Sequence, residues 1–95
     1  MNIKDLHENL NGVSAIEVNA NQQNSIKAIR ILANEKLLEH ISKVPALLVC
    51  VIGEAKYEDE SGAAVELKSG DYVQILPMLK HWVSATLESH FLLIK

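Results

Sequence analysis

The sequence has one cysteine, two prolines, four glycines, and aromatic side chains at only 4% of its 95 positions. One cysteine cannot form an internal disulfide, which predicts a reducing compartment and therefore a cytoplasmic protein. Cys50 lies in an apolar run, where a free thiol behaves as a small core residue. That run is too short to span a membrane, and the N-terminal residues lack the pattern of a secretory signal. We expect no membrane partner.

A basic surface is also missing. Nine basic residues are scattered among twelve acidic ones, and the net charge is −3. Electrostatic nucleic-acid binders are basic and cluster their Lys and Arg residues, so no nucleic-acid partner is expected. The sequence contains no phosphate-binding Gly-rich loop, no His-Glu-x-x-His helix and no Gly-x-Ser-x-Gly turn, which excludes the commonest enzyme signatures.

What the sequence does contain is a series of short, β-rich segments. The central one, Ala46–Ile52, is an unbroken apolar run that predicts a strand buried on both faces. A polar loop is predicted at 19–25. Evenly spaced strands without intervening helices predict a single antiparallel sandwich or barrel. The predicted strands cover residues 13–18, 26–33, 37–41, 46–52, 54–57, 63–67, 72–76, 81–85 and 90–95.

The first residues carry a different pattern. Asn2 is a suitable N-cap, and Asp5 supports a first helical turn. Residues 1–11 are predicted to form a short helix or arm, which docks on the barrel of residues 12–95 or on a partner subunit. His7 is expected to face solvent. The apolar stripe of the helix would be Ile3, Leu6 and Leu10.

Two histidines, His40 and His81, belong to a spaced pattern that begins at Leu37. The pattern resembles the small single-domain cupins, and the similarity covers residues 29–94. The resemblance implies a double-stranded β-helix, which is a jelly-roll barrel of two sheets with a pocket between them, and pairing as a homodimer. The residues that carry it are Leu37-x-Glu39-His40, Pro45-Ala46-Leu47, Ile52-Gly53-Glu54, Glu66-Leu67-x-x-Gly70-Asp71, Pro77 and His81.

The first cupin motif is only partly matched. When it is aligned on Gly53, its first His is His40. Its second His position is Ser42 and its Glu position is Ala46. Its leading Gly is Asn34, a residue that enters left-handed backbone conformations more readily than most.

The second motif is matched to a similar degree. It begins at Gly70, and its His is His81 at the expected spacing. Its inner Gly is Met78, and its proline is displaced by one position to Pro77. The trailing Asn is Ala85. The chain therefore keeps glycines that define the fold and loses part of the ligand set.

The surviving residues predict a ligand pocket formed by His40, Ser42, Met78 and His81. The resemblance implies a divalent transition metal (Fe, Mn, Zn or Ni) held by His40 and His81. A catalytic metal site needs about three protein ligands, and only two are kept. The alternatives are that both imidazoles are polar pocket residues in a barrel that has lost its ion, or that the rings face solvent.

Three functions remain open at this point. The first is a non-catalytic barrel that binds a small apolar or weakly acidic molecule or has a structural role. The second is a metal-dependent enzyme of the oxygenase or isomerase type that uses His40 and His81. The third is an interaction module that acts through dimerisation. The sequence does not place the ring of His90.

Overall fold

A computed structural model describes residues 1–21 and 24–95. Within these residues the regular secondary structure is almost entirely β-strand, and the strand bounds lie within two residues of the predicted ones. Gln22 and Gln23, in the predicted polar loop, lie outside the described residues. The strands are β1 (Val13–Ala20), β2 (Ser25–Ile31), β3 (Lys36–His40), β4 (Ala46–Ile52), β5 (Glu54–Asp59), β6 (Ala64–Lys68), β7 (Tyr72–Ile75), β8 (His81–Ala85) and β9 (Ser89–Ile94).

The strands form two antiparallel sheets. The larger sheet has the order β1-β2-β9-β4-β7, and the smaller has the order β3-β8-β5-β6. The last strand, β9, lies between β2 and β4, and β8 lies between β3 and β5. The prediction of an all-β, two-sheet barrel is therefore confirmed.

The core lies between the sheets and takes side chains from both. Cys50 is fully buried in it, as predicted, and burial raises the pKa of the thiol, so it stays protonated and unreactive. Larger fully buried side chains of this core are Tyr57, Phe91, Ile31, Leu67 and Val83.

The central strand β4 differs from its prediction, because it is buried on one face only. Ala46, Leu48 and Cys50 point into the core, whereas Leu47 and Val49 alternate with them and are half-buried on the other side. The reason is that the larger sheet packs on the smaller one with one face, while much of its outer face is left open.

The predicted N-terminal helix is wrong in type. The chain forms a single 3₁₀ turn at Ile3–Asp5, with no buried residue, and the Asn2 side chain caps it as predicted. A helix of this length is unstable on its own. The arm beyond the turn is held instead by Arg30, whose guanidinium donates hydrogen bonds to the carbonyl oxygens of Asn9 (2.9 Å) and Asn11 (3.1 Å).

Candidate functional site

The two motif histidines meet at one end of the smaller sheet. His40 ends β3 and His81 begins β8, and the two are cross-strand partners beside an irregularity in the pairing. Their ring centroids are 4.1 Å apart, with an interplanar angle of 60°. His81 is 2% exposed, and His40 is half-buried. Since Val83 on the same face of β8 belongs to the core, His81 points into the barrel.

Both rings are held in the same way. Nδ1 of His40 lies 3.0 Å from the carbonyl oxygen of Leu38, and Nδ1 of His81 lies 3.0 Å from that of Leu79. A carbonyl oxygen only accepts, so each Nδ1 carries a proton and donates it. Each neutral ring therefore keeps its lone pair on Nε2. No hydrogen bond to either Nε2 is found within residues 1–21 and 24–95.

The buried ring is electrically neutral at neutral pH. Burial lowers the pKa of His81 from its ordinary value of 6.5, and the nearby His40 and Lys95 lower it further. The hydrogen bond to the Leu79 carbonyl and the charge of Asp59 act in the opposite direction. The pair thus presents two hydrogen-bond acceptors to a ligand.

Asp59 pairs with His81 across β5 and β8, but its carboxylate is engaged elsewhere. One oxygen accepts hydrogen bonds from the Ser61 amide (2.9 Å), the Ser61 hydroxyl (2.5 Å) and the Ala63 amide (3.3 Å), and the other accepts from the Tyr57 hydroxyl (2.9 Å). The hydrogen bond from Ser61 makes the largest contribution to lowering the Asp59 pKa. This carboxylate holds the β5–β6 turn.

The other two predicted pocket residues adjoin each other through the backbone. The carbonyl of Ser42 accepts a hydrogen bond from the Met78 amide at 2.7 Å. Ser42 is buried, and its hydroxyl donates to the Val44 carbonyl at 2.7 Å. Met78 is 60% exposed. The assignment of both side chains to a ligand pocket stays a prediction.

The residues present do not complete a cupin metal centre. No group of three or more His, Cys, Asp or Glu side chains able to hold a metal occurs in the described part of the chain. His40 and His81 supply two imidazoles, the Asp59 carboxylate is occupied, and Cys50 is in the core. Ala46, at the motif's Glu position, packs in the core as well. With fewer than three protein ligands, the fit to a catalytic metal is poor.

An apolar hollow adjoins the histidine pair. It has a volume of about 380 Å³ and lies where the free edges of β1 and β3 approach each other. It is open to solvent on one side, and His40 forms one of its walls. The remaining wall residues are Val13, Lys36, Leu37 and Leu38.

Sequence reasoning missed a second polar cluster on the outer face of the larger sheet. His7, expected in solvent, is half-buried, and its ring lies 5.9 Å from that of His90, which is 2% exposed. Arg30 lies beside them and is 8% exposed. A strand position for Arg30 and His90 was predictable, but the arm that covers them was not.

None of the helical structure in the described residues is long and apolar enough to cross a membrane. This agrees with the absence of an apolar run of spanning length in the sequence.

Comparison with solved structures identifies the fold. A cupin superfamily protein from Desulfitobacterium hafniense DCB-2 superposes with a TM-score of 0.85 at 15% identity, over 98% of this chain and 84% of the other. KdgF from Halomonas sp. gives 0.83 at 15% identity, over 99% and 89% of the two chains. An RmlC-like cupin with a double-stranded β-helix from Methanocaldococcus jannaschii gives 0.78 at 18% identity, over 87% and 78%.

The sequence itself matches no protein-family model and no curated protein. At these identities the structural likeness establishes the fold and leaves the activity open. The two sheets, the strand order and the solved neighbours agree with the motif resemblance. The chain folds as a small cupin domain, a double-stranded β-helix.

Proposed function

We propose that this protein is a non-catalytic, small-molecule-binding cupin whose ligand is a weakly acidic molecule with a small apolar body. The observation that carries the proposal is the paired arrangement of His40 and His81, with both Nδ1 atoms donating to carbonyls and both Nε2 lone pairs left unbonded by the described residues.

Two neutral imidazoles in a partly buried site favour a hydrogen-bond donor. A phenol, enol or carboxylic acid donates its O–H to Nε2, and a stronger acid transfers that proton, leaving an anion paired with an imidazolium. Such a site binds either the neutral acid or the anion together with the proton that it has transferred to the imidazole. The apolar hollow beside His40 supplies space for the hydrocarbon part of the ligand.

Phenol and toluene form a matched pair of probes, because they share a shape and differ in the acidic O–H. We expect phenol to shift the Cε1–H resonances of His40 and His81 in a saturable NMR titration at pH 7.5. Toluene should bind at least about tenfold more weakly, which corresponds to the loss of one useful polar contact of about 1.4 kcal/mol.

A double variant, His40→Gln with His81→Gln, should weaken phenol binding by a similar factor, while His90→Gln on the outer face leaves it unchanged. Equal affinity for phenol and toluene, or full phenol binding by the double variant, would contradict the proposal. Circular dichroism of each variant checks that the barrel is intact.

A metal-dependent enzyme of the oxygenase or isomerase type is the second candidate. One observation favours it: histidines that ligate metals donate their other nitrogen to a carbonyl or carboxylate, as both rings do here. His40 and His81 would hold the ion through Nε2, and Fe, Mn, Zn or Ni would supply Lewis-acid or redox chemistry. The missing third ligand weighs against this function.

Metal analysis of protein purified without an affinity tag separates the two candidates. We expect well under one equivalent of these metals. Close to one equivalent in the wild type, lost in a His40→Ala, His81→Ala double variant, would replace the first proposal with the second.

We also infer that the protein is a homodimer that pairs through the outer face of the larger sheet. By the strand register, one row of apolar residues crosses all the strands of that sheet. The row contains no charge, so a second copy can lie against it without charge repulsion. Its members are Ile16, Ala28, Leu92, Val49 and Tyr72, hereafter the apolar row.

A further inference from the structure

The N-terminal arm, residues 1–11, lies over a row of polar residues next to the apolar row. Ser14, Arg30 and His90 are cross-strand neighbours on the outer face, since Ile29 and Phe91 beside them point into the core. The guanidinium of Arg30 donates to three carbonyls of the arm: those of His7, Asn9 and Asn11. This clamp is the main polar attachment between the arm and the sheet.

His7 is the arm's side chain that enters the row. Its Nδ1 lies 2.7 Å from the hydroxyl of Ser14, which also accepts a hydrogen bond from the Asn9 side chain at 3.0 Å. The ring faces His90 at 5.9 Å, and Nε2 of His90 lies 2.9 Å from the carboxylate of Glu88.

The docked arm leaves polar atoms without partners. Among residues 1–21 and 24–95, no hydrogen-bond partner is found for three buried nitrogens: Nε2 of His7, Nε of Arg30 and Nδ1 of His90. Each of these three atoms is buried from solvent. Arg30 also has no carboxylate at ion-pair distance within residues 1–21 and 24–95. Buried polar groups of this kind oppose docking, because they would form hydrogen bonds with water once the arm is released.

We propose that the arm is a pH-operated latch, which lies on the larger sheet at neutral pH and lifts off when His7 is protonated. A proton on His7 would place a second cation against Arg30 and beside His90, in a partly buried site. In the part of the chain that the structure describes, Glu88 is the carboxylate whose charge raises the pKa of His7, and it is already bonded to His90. His7 is also bonded by the Ser14 hydroxyl, at its ring, and by the Arg30 guanidinium, at its carbonyl. Neither group carries a negative charge.

The direction of the effect follows from linkage. Burial, and next the charges of Arg30 and His90, lower the pKa of His7 from its ordinary 6.5 in the docked arm, and Glu88 opposes them. In the released arm the ring is in water and titrates near 6.5. Docking is therefore at full strength above about pH 6.5 and weakens as the pH falls below it. Release uncovers Arg30 and His90 beside the apolar row, so the latch controls what this face presents.

Backbone ¹⁵N relaxation of the intact chain tests the latch directly. At pH 7.5 we expect order parameters of about 0.85 for the arm around His7, and at pH 5 values below about 0.6. Amides of β4 should stay rigid at both pH values, which separates release of the arm from acid unfolding of the barrel. Ordered arm amides at pH 5 would overturn the proposal.

Substitutions at His7 assign the proton. The uncharged variants His7→Gln and His7→Phe should keep the arm ordered at pH 5, and His7→Lys should release it at pH 7.5. His40→Gln is the matched control and should release its arm at the wild-type midpoint. Release at an unchanged midpoint in both uncharged variants would place the titrating group elsewhere and overturn the proposal.

If both uncharged variants lose the docked arm even at pH 7.5, the wild type decides the matter. The titration midpoint of the His7 Cε1–H resonance must then coincide with the midpoint of arm release. A His7 midpoint that differs from the release midpoint overturns the latch.

Discussion

Backbone conformation at single residues explains which parts of the cupin motifs this chain could lose. Asn34 and Met78 occupy the motifs' glycine positions, and they hold φ at 66° and 64°, in the left-handed region. The left-handed backbone conformation is therefore formed without a glycine at either position. Gly53, at φ 122°, is a different case, because few side chains tolerate that conformation.

Gly53→Ala should lower the free energy of unfolding by about 2 kcal/mol or more, from backbone strain and steric overlap. A Cβ at Gly53 would lie 2.5 Å from Cα of Ser89, a backbone atom that cannot move aside easily. Ser89 is itself fixed, since its hydroxyl accepts a hydrogen bond from the Glu54 amide at 3.0 Å. Urea denaturation measures the change.

Gly70→Ala is the matched control, because Gly70 also has a positive φ, 90°, but apart from its two chain neighbours no described residue has an atom within 4 Å of its Cβ position. It should cost only the backbone strain, about 1 kcal/mol. Equal losses for the two variants would show that the contact with Ser89 is unimportant.

At the scale of elements, the pairing of β3 with β8 brings the two histidines together and makes that pairing sensitive to pH. β3 is an edge strand, bonded to β8 only among the described strands. Its last residue, His40, shares a register position with the buried His81. Burial, and next the charge of His40, lowers the pKa of His81.

The free energy of unfolding should consequently fall as the pH drops below about 6.5. His81 has a lowered pKa in the folded state, so its contribution is complete above its ordinary value of 6.5 and is lost as the unfolded chain takes up the proton. His81→Gln should make the decrease between pH 8 and pH 5 smaller. Urea denaturation across this range measures it, and an unchanged decrease in the variant would contradict the assignment.

At the scale of the whole molecule, each sheet packs against the other with one face only. The smaller sheet covers the inner face of the larger one, while the apolar row lies on its outer face. Val49 of this row is half-buried and Tyr72 is 62% exposed. Exposed apolar surface on a sheet is a common feature of protein–protein contacts, and it supports the proposed dimer.

Sedimentation at low micromolar concentration should find a dimer in the wild type and a monomer for Val49→Lys, which places a charge within the row. Glu66→Lys, on the exposed edge of the smaller sheet, should leave the dimer unchanged. A wild-type monomer would remove the dimer proposal, and it would leave the ligand and latch proposals standing.

The sequence alone determined the strands and the all-β fold. Alternation and turn residues act over a few positions, so β4 and its neighbours could be placed without a structure. The resemblance to the cupin motifs implied a common pocket for His40 and His81, with exposure of the rings as an alternative, and the structure pairs the two residues across β3 and β8.

Tertiary structure decided the rest, because it depends on contacts between distant parts of the chain. Among the described residues no second layer packs on the outer face of β4. The apolar sequence of this strand does not indicate whether one or both of its faces are covered. The backbone carbonyls of the arm are bonded by Arg30 instead of by a helix, and His7 lies beside His90, which is near the opposite end of the sequence. Local propensity carries no information about such partners, so both the latch and the free Nε2 atoms became visible only in the folded chain.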